Sequence, residues 1–327
     1  MFKIHESQNI LYTSFPKPIM ISSTFNFSDG GVYDMKRFPC LFNASAFTFL
    51  FSIHLCGSFA DEPAFRSGVD AVKSPLINIY DPSSYKHRAP ILILHRGGFI
   101  TPESPECSLR AIELAAERGY EMVELDVQES KDHVPILFHD DTMQKACGMD
   151  KVIADFTADE VTKIKFKNSD QFISTLDAAL ALCEKLHLGV MLDIKFDGSD
   201  LFYQTIADSL ETYHLTNATV SICTFPKALR YLQGKAMPCL GQEEMKKFEA
   251  DNTVSLKGKF WFGWPRRISN EMVKKIQAAG GLVIPSINTF HYPVGSPYNA
   301  EADIRRMLEV GVDAHQIDSV YEQYYQN

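Results

Sequence analysis

Ile91-Leu92-Ile93-Leu94-His95-Arg96-Gly97-Gly98 and Met122-Val123-Glu124-Leu125-Asp126-Val127 are the stretches on which the fold turns. The first is a short apolar run ended by a histidine, an arginine and two glycines, which reads as a strand buried on both faces. Between the two lies a helical pattern, Leu109 to Arg118, with Gly119 as its stop. The second stretch is again a strand, and Val134 to Phe138 either extends it or forms a nearby piece. Further out, Leu176 to Leu186 predicts a helix, Gly189 to Ile194 a strand, Phe202 to Tyr213 a helix and Ala218 to Cys223 a strand. Later strands are expected at 238–241, 259–263, 281–287 and 312–317, with helices at 267–279 and 301–310. Strand and helix alternating at this pace imply βα units and a parallel sheet. About eight strands, with no Gly-rich dinucleotide fingerprint after the first, point to a closed (β/α)8 barrel, a TIM barrel, rather than a doubly wound sheet.

The chain has 327 residues, is 45% hydrophobic and 22% charged, and carries a formal net charge of −9. No Lys/Arg-rich run stands out, which argues against a nucleic-acid partner. The acidic balance is compatible with a phosphate substrate, because a bound cation reverses the local field. None of the seven cysteines forms a C-x-x-C pair, so a cysteine zinc site is not expected, and most read as small buried apolar residues.

Met35-Lys36-Arg37, the apolar stretch from Phe38 to Phe59 and the small residues Ser58 and Ala60 have the three parts of a secretory signal peptide. Asn43, Ser45, Ser52 and His54 interrupt the stretch and make it a poor membrane anchor. The expected organisation is therefore an upstream extension over 1–34, a signal peptide over 35–60, a surface lead-in over 61–89 and the barrel over 90–327. The expected location is periplasmic or secreted, in a bacterium, with no stable membrane anchor. The 267 residues after Ala60 suit one barrel of roughly 250 residues.

Side chains alternate along a strand, so Glu124 and Asp126 share one face and their apolar neighbours the other. Two carboxylates inside a barrel mouth repel unless something compensates, and a divalent cation with oxygen ligands, Mg²⁺ or Ca²⁺, would do so. Taken alone the pair equally describes a solvated strand face. Asp193 and Lys195 repeat the arrangement one βα unit later; alone they equally describe a surface ion pair. His95 ends the first strand and His139-Asp140 ends the run from Val134, both at the rim where barrel active sites are built. Two histidines can divide the acid and base work of phosphodiester cleavage near neutral pH. Trp261, Phe262 and Trp264 read first as packing and second as lining for a substrate cleft.

Taken in order, His95-Arg96-Gly97, Pro105-Glu106-Cys107-Ser108, Glu124-Leu125-Asp126-Val127, His139-Asp140 and Asp193-Ile194-Lys195 resemble the glycerophosphodiester phosphodiesterase family. Gly311-Val312-Asp313 with Asp318 resembles that family's closing segment. The resemblance implies a metal site of Glu124, Asp126 and Asp193 holding one divalent cation, with His95 and His139 as the acid–base pair. It implies phosphate contacts from Arg96 and Lys195, and a supporting role for Glu106. The implied reaction is hydrolysis of a small-molecule glycerophosphodiester to glycerol 3-phosphate and an alcohol. Three positions depart from the pattern. Asp193 stands where the family usually has Glu, Cys107 where it has Asn, and Val283 to Asn288 lacks the Trp-Thr often found on the seventh strand. Related sphingomyelinase D-type phospholipases carry Asp at the position of Asp193. Phospholipase D-like or cyclising lyase action on phospholipids is therefore the alternative, together with a phosphodiester-binding barrel that does not turn over.

Overall fold

Nine strands form the sheet: β1 (Ile91–Leu94), β2 (Met122–Glu129), β3 (Pro135–Leu137), β4 (Gly189–Ile194), β5 (Thr219–Ser221), β6 (Met237–Pro238), β7 (Phe260–Gly263), β8 (Leu282–Ile287) and β9 (Ala314–Ile317). The computed structural model describes residues 75–88, 90–251 and 253–325. Eight of the strands run parallel in the order β6-β5-β4-β2-β1-β9-β8-β7. The ring closes between β6 and β7 through the parallel bridge Cys239 to Phe260, where Leu240 N donates to Phe260 O at 2.7 Å. The TIM barrel expected from the alternation is therefore present. The upstream extension and the signal peptide lie outside the described residues.

Strand alternation sorts the apolar residues into two layers. Ile91, Ile93, Met122, Met191, Val220, Met237, Phe260, Ile284 and Ala314 fill the barrel interior. Leu92, Leu94, Val123, Leu125, Val190, Leu192 and Ile287 face outward beneath the helices. Both faces are covered, which is why β1 is apolar throughout. The helices that cover the barrel span Leu109–Glu117, Leu176–Leu186, Asp200–Thr212, Pro226–Tyr231, Gln242–Ala250, Asn270–Ala278 and Ala300–Val310. Several begin at a side-chain cap: Ser108, Thr175, Ser199, Ser269 and Asn299 each accept from a backbone N–H three residues on.

The structure agrees with one of the two readings of the run from Val134 and differs from the sequence expectation in three other places. That run is the nearby piece, a separate strand, β3, antiparallel to β2 and outside the parallel ring. The excursion that follows it packs its own core of Ile136, Phe138, Met143, Ile153, Val161, Phe166 and Ile173. The helices at 226–231 and 242–250 were not expected: the first is one short Pro-started piece and the second is mostly charged, so neither has a strong apolar stripe. The helix expected from 267 starts at Asn270, because Ser269 caps it and Pro265–Arg267 makes a 3-10 turn. Within the lead-in, Ile77, Ile79 and Tyr85 are buried against the interior layer instead of running over the surface. Their apolar side chains seal one end of the barrel, as burial of that area favours. All five cysteines among the described residues are free, four of them buried.

The turn after β1 is pressed onto the following helix. Phe99 N donates to Ala111 O at 3.0 Å, and Gly98 takes a φ of +138°. A Cβ at Gly98 would stand 2.1 Å from Ala111 O, with backbone on both sides of the clash. Gly98→Ala is expected to destabilise the protein by about 2 kcal/mol or more in urea unfolding. An unchanged midpoint would mean that this turn does not lie against the helix as described.

Candidate active site

The residues that carry chemistry follow the inward face of the strands to one end of the barrel. On β2, Leu125 and Val127 point to the helices, so Glu124 and Asp126 point inside, and both are almost fully buried. Asp126 is the register partner of Asp193 on β4, which sets the two carboxylates side by side. Lys195, just beyond β4, places Nζ 2.7 Å from Asp126 Oδ1 and 2.6 Å from Asp193 Oδ2. Glu124 Oε2 accepts from Arg96 N at 2.7 Å, whereas Glu124 Oε1 is buried with no hydrogen-bond partner among the described residues.

The electrostatics follow from that crowding. Burial, then the charges of Asp126 and Asp193, push the Glu124 carboxyl well above its ordinary range. Burial also works upward on Asp126, but Lys195 and the nearby histidines outweigh it and hold Asp126 below its ordinary value. Burial works downward on Lys195, and Asp126 and Asp193 outweigh it in turn, so the ammonium stays charged. Cys107 is buried, and burial together with Asp126 raises its thiol. The protonated sulfur donates to Asp126 Oδ2 at 3.4 Å. The cysteine thus supplies a weak donor at the position where the sequence pattern has an amide.

Glu124, Asp126 and Asp193 each offer an oxygen within 4.8 Å of the others. Two oxygens on opposite sides of a Ca²⁺, each roughly 2.3–2.6 Å from it, lie about 5 Å apart at most. An all-oxygen, all-anionic donor set with one buried oxygen unpartnered therefore fits a hard divalent cation. Glu106, His139 and Asp140 form a second such group. Arg96 Nη1 at 2.7 Å from Glu106 and Lys145 at 3.6–3.7 Å from Glu106 and Asp140 already balance its charge.

His95 extends the inward face of β1, between Glu124 and the residue that follows β9. Its Nδ1 lies 2.6 Å from Asp318 Oδ1 and its Nε2 3.9 Å from Glu124 Oε2. Asp318 is nearly as constrained: Oδ2 accepts from Thr289 N at 2.6 Å. Burial alone would raise Asp318, but the hydrogen bond and charge of His95 bring it down to about 2, so it is ionised at neutral pH. His139 is carried by the excursion after β3, anchored where Phe138 N donates to Asp126 O at 3.1 Å. Its Nδ1 meets Asp140 Oδ1 at 2.8 Å. Arg96, at φ +57°, turns its half-buried guanidinium onto Glu106, and its Nε has no hydrogen-bond partner among the described residues.

All eight residues singled out from the sequence thus converge on one site. Trp261 packs in an outer cluster, Phe262 leans on the interior, and Trp264 stacks on His291 at 5.4 Å between ring centroids. Asp318 stood in the sequence reading only as part of a closing segment. Its pairing with His95 shows once β1 and β9 are known to be neighbours. Asp140, quoted in the sequence only as the neighbour of His139, also borders the site, as do Asn288, Phe290 and His291, which were given no role; the signal in the sequence for those three is their place one to four residues beyond a strand.

The model of the glycerophosphoryl diester phosphodiesterase family matches residues 95–321. Mouse glycerophosphodiester phosphodiesterase 1 is 34% identical over 111 residues, 32% of this chain and 33% of that protein. The chain therefore aligns with about a third of the length of the curated relatives it matches. The structure of an Oleispira antarctica phosphodiesterase in complex with the product sn-glycerol-3-phosphate superposes with a TM-score of 0.56 at 19% identity, covering 73% of this chain and 97% of that one. A glycerophosphoryl diester phosphodiesterase from Parabacteroides distasonis gives a TM-score of 0.56 at 20% identity, covering 71% and 84%. With the family model matched along most of the barrel, the chain belongs to the glycerophosphoryl diester phosphodiesterase family.

Proposed function

We propose that this protein hydrolyses glycerophosphodiesters to glycerol 3-phosphate and an alcohol. The observation that carries the reading is the pair of histidines, each with a carboxylate on Nδ1, set about one buried carboxylate cluster. Ionised Asp318 accepts from His95 Nδ1–H, which leaves the lone pair on Nε2, the nitrogen turned toward Glu124. Asp140 orients His139 in the same sense. One imidazole, neutral, then takes a proton from the attacking oxygen on Nε2 as that oxygen bonds to phosphorus, and the other, starting as an imidazolium with a hydrogen on each nitrogen, gives its Nε2 proton to the alkoxide that leaves. Arg96, through its unpartnered Nε, and Lys195 set positive charge where the phosphoryl oxygens gain negative charge. Glu106 holds the Arg96 guanidinium in place at 2.7 Å. A divalent cation bound by Glu124, Asp126 and Asp193, Ca²⁺ or Mg²⁺, would supply Lewis-acid polarisation of a phosphoryl oxygen.

A second reading, phospholipase D-like action on a lysophospholipid, is favoured by Phe290. Its side chain is 61% exposed, and its ring centroid lies 6.2 Å from that of His95, where an acyl chain would find an apolar neighbour. Parallel assays on glycerophosphocholine, lysophosphatidylcholine and sphingomyelin separate the readings.

Wild-type protein should release glycerol 3-phosphate from glycerophosphocholine in the presence of Ca²⁺ or Mg²⁺ and stop in EDTA. Failure with both cations would sink the main reading. Calorimetry should detect cation binding in the wild type and none in the Glu124→Gln/Asp193→Asn variant; equal binding in both would remove the carboxylate cluster as the cation site. His95→Ala and His139→Ala should each lower turnover by at least about 10²-fold. Asp318→Asn keeps the shape but removes the charge that holds the His95 tautomer. It should lower kcat by about 10²-fold with KM nearly unchanged, and near-normal kcat would show that His95 is oriented by other groups.

A further inference from the structure

Large apolar side chains stand exposed unevenly over the described residues. In a ring of parallel strands, every segment that follows a strand begins at the mouth. Ile100 follows β1, Phe290 and Val294 follow β8, and Val320 follows β9; each is exposed. Strands β8, β9 and β1 are consecutive in the ring, so these side chains stand on three adjacent loops. Phe196, beyond β4 on the other side of the mouth, is exposed as well. At the opposite end of the barrel the exposed apolar side chains are those of Tyr80 and Val254. Apolar residues exposed singly are ordinary, whereas a group gathered around one opening marks a surface of interaction.

The local backbone holds these side chains outward. Ser296 N donates to Pro293 O at 2.9 Å and Gly295 takes a φ of +82°, which makes a tight turn with Val294 at its apex. Turn apices usually carry Gly, Pro, Asn, Asp or Ser, and Val294 stands there fully exposed among the described residues. Phe290 lies in the 3-10 turn Thr289–His291, with its ring centroid 4.3 Å from that of His291. Behind them, Tyr298 packs edge-on against Trp264 at 5.0 Å, and Trp264 Nε1 donates to the Tyr292 hydroxyl at 3.2 Å. Aromatic rings with one polar atom are the residues that suit a boundary between water and hydrocarbon.

What these tips encircle decides the kind of partner. The hollow between them is charged: Glu124, Asp126 and Asp193 line it with Lys195 and Arg96. An interface between proteins has the opposite order, an apolar centre within a polar rim. A protein, or a second copy of this chain, seated on the tips would span a charged cavity it does not fill. A phospholipid surface matches the order, because it offers phosphodiesters to the hollow and hydrocarbon to the tips. Arg267, exposed in the turn Pro265–Arg267 after β7 and without an ion pair among the described residues, adds a cation at the level of lipid phosphates. We propose that the barrel mouth docks reversibly on a phospholipid bilayer, with Ile100, Phe290, Val294 and Val320 entering the head-group layer. The choice of a lipid over a protein rests on the phosphodiester reading above. Docking of this kind needs no spanning segment, and no helix among the described residues is long and apolar enough to be one.

Tryptophan fluorescence of the full chain tests this on phosphatidylcholine vesicles, plain or brominated on the acyl chains. Trp261 and Trp264 set the wild-type baseline. Val294→Trp adds a reporter at the mouth and Val254→Trp adds one at the opposite end, both at exposed positions. Brominated vesicles should quench the Val294→Trp protein beyond the baseline and leave the Val254→Trp protein at it. No added quenching at 294, or equal quenching at both positions, would overturn the proposal. Phe290→Ser and Val320→Ser, added to Val294→Trp, should raise the lipid concentration for half-maximal quenching at least about tenfold; an unchanged midpoint would deny the tips their role. Light scattering without lipid covers the rival partner: a dimer that Val294→Ser separates would give the surface to a second copy and overturn the bilayer. Turnover of soluble glycerophosphocholine, measured alongside, should be the same in Val294→Ser as in wild type. Quenching without turnover keeps the docking surface and discards the hydrolytic reading, and turnover without quenching does the reverse.

Discussion

Three carboxylates within reach of one another, Glu124 and Asp126 buried and Asp193 half-buried, with the Lys195 ammonium lodged between Asp126 and Asp193, set the terms for the rest of this molecule. Charges of one sign in a low-dielectric interior repel strongly, and each also forfeits its hydration. Lys195 pairs with Asp126 and Asp193, while burial, and then the charges of those two carboxylates, raise the Glu124 carboxyl against the pull of the same ammonium. The charge that remains unbalanced makes this a cluster that could hold a cation. A parallel barrel suits such a cluster, because adjacent strands present inward residues at matched heights from the same end. The register of Asp126 against Asp193 is the direct expression of that geometry.

The two histidines are mounted differently. His95 stands on the ring itself, gripped by Asp318 from the neighbouring strand. His139 stands on an excursion that leaves the ring through the antiparallel strand β3 and packs its own apolar core. The backbone bond from Phe138 to Asp126 fixes the excursion to the strand that carries two of the three carboxylates. Both imidazoles thus share a frame with the charge cluster although their supports are built from separate cores.

Much of this was legible in the order of residues. Glu124 and Asp126 interrupt an otherwise apolar strand at a spacing of two, and Asp193 and Lys195 do so again; that rhythm is visible without coordinates. The partnership of His95 and Asp318 was not, because it depends on the closure that makes β1 and β9 neighbours. The antiparallel turn of β3 was hidden because Pro135 begins an apolar run that reads equally well as more of the preceding strand. The helix at 242–250 was hidden by its charges, since its burial rests largely on Phe248.

The contact between His95 and Asp318 spans 223 positions of the chain. Its two members follow the first and last strands of the ring, so the contact forms only when those two strands meet. A ribosome that has delivered the strands through β8 has made both histidines and every carboxylate of the cation cluster, yet His95 still lacks its orienting partner. A nick or truncation that costs the chain β9 and Asp318 removes that partner while leaving all of those groups in the remaining polypeptide.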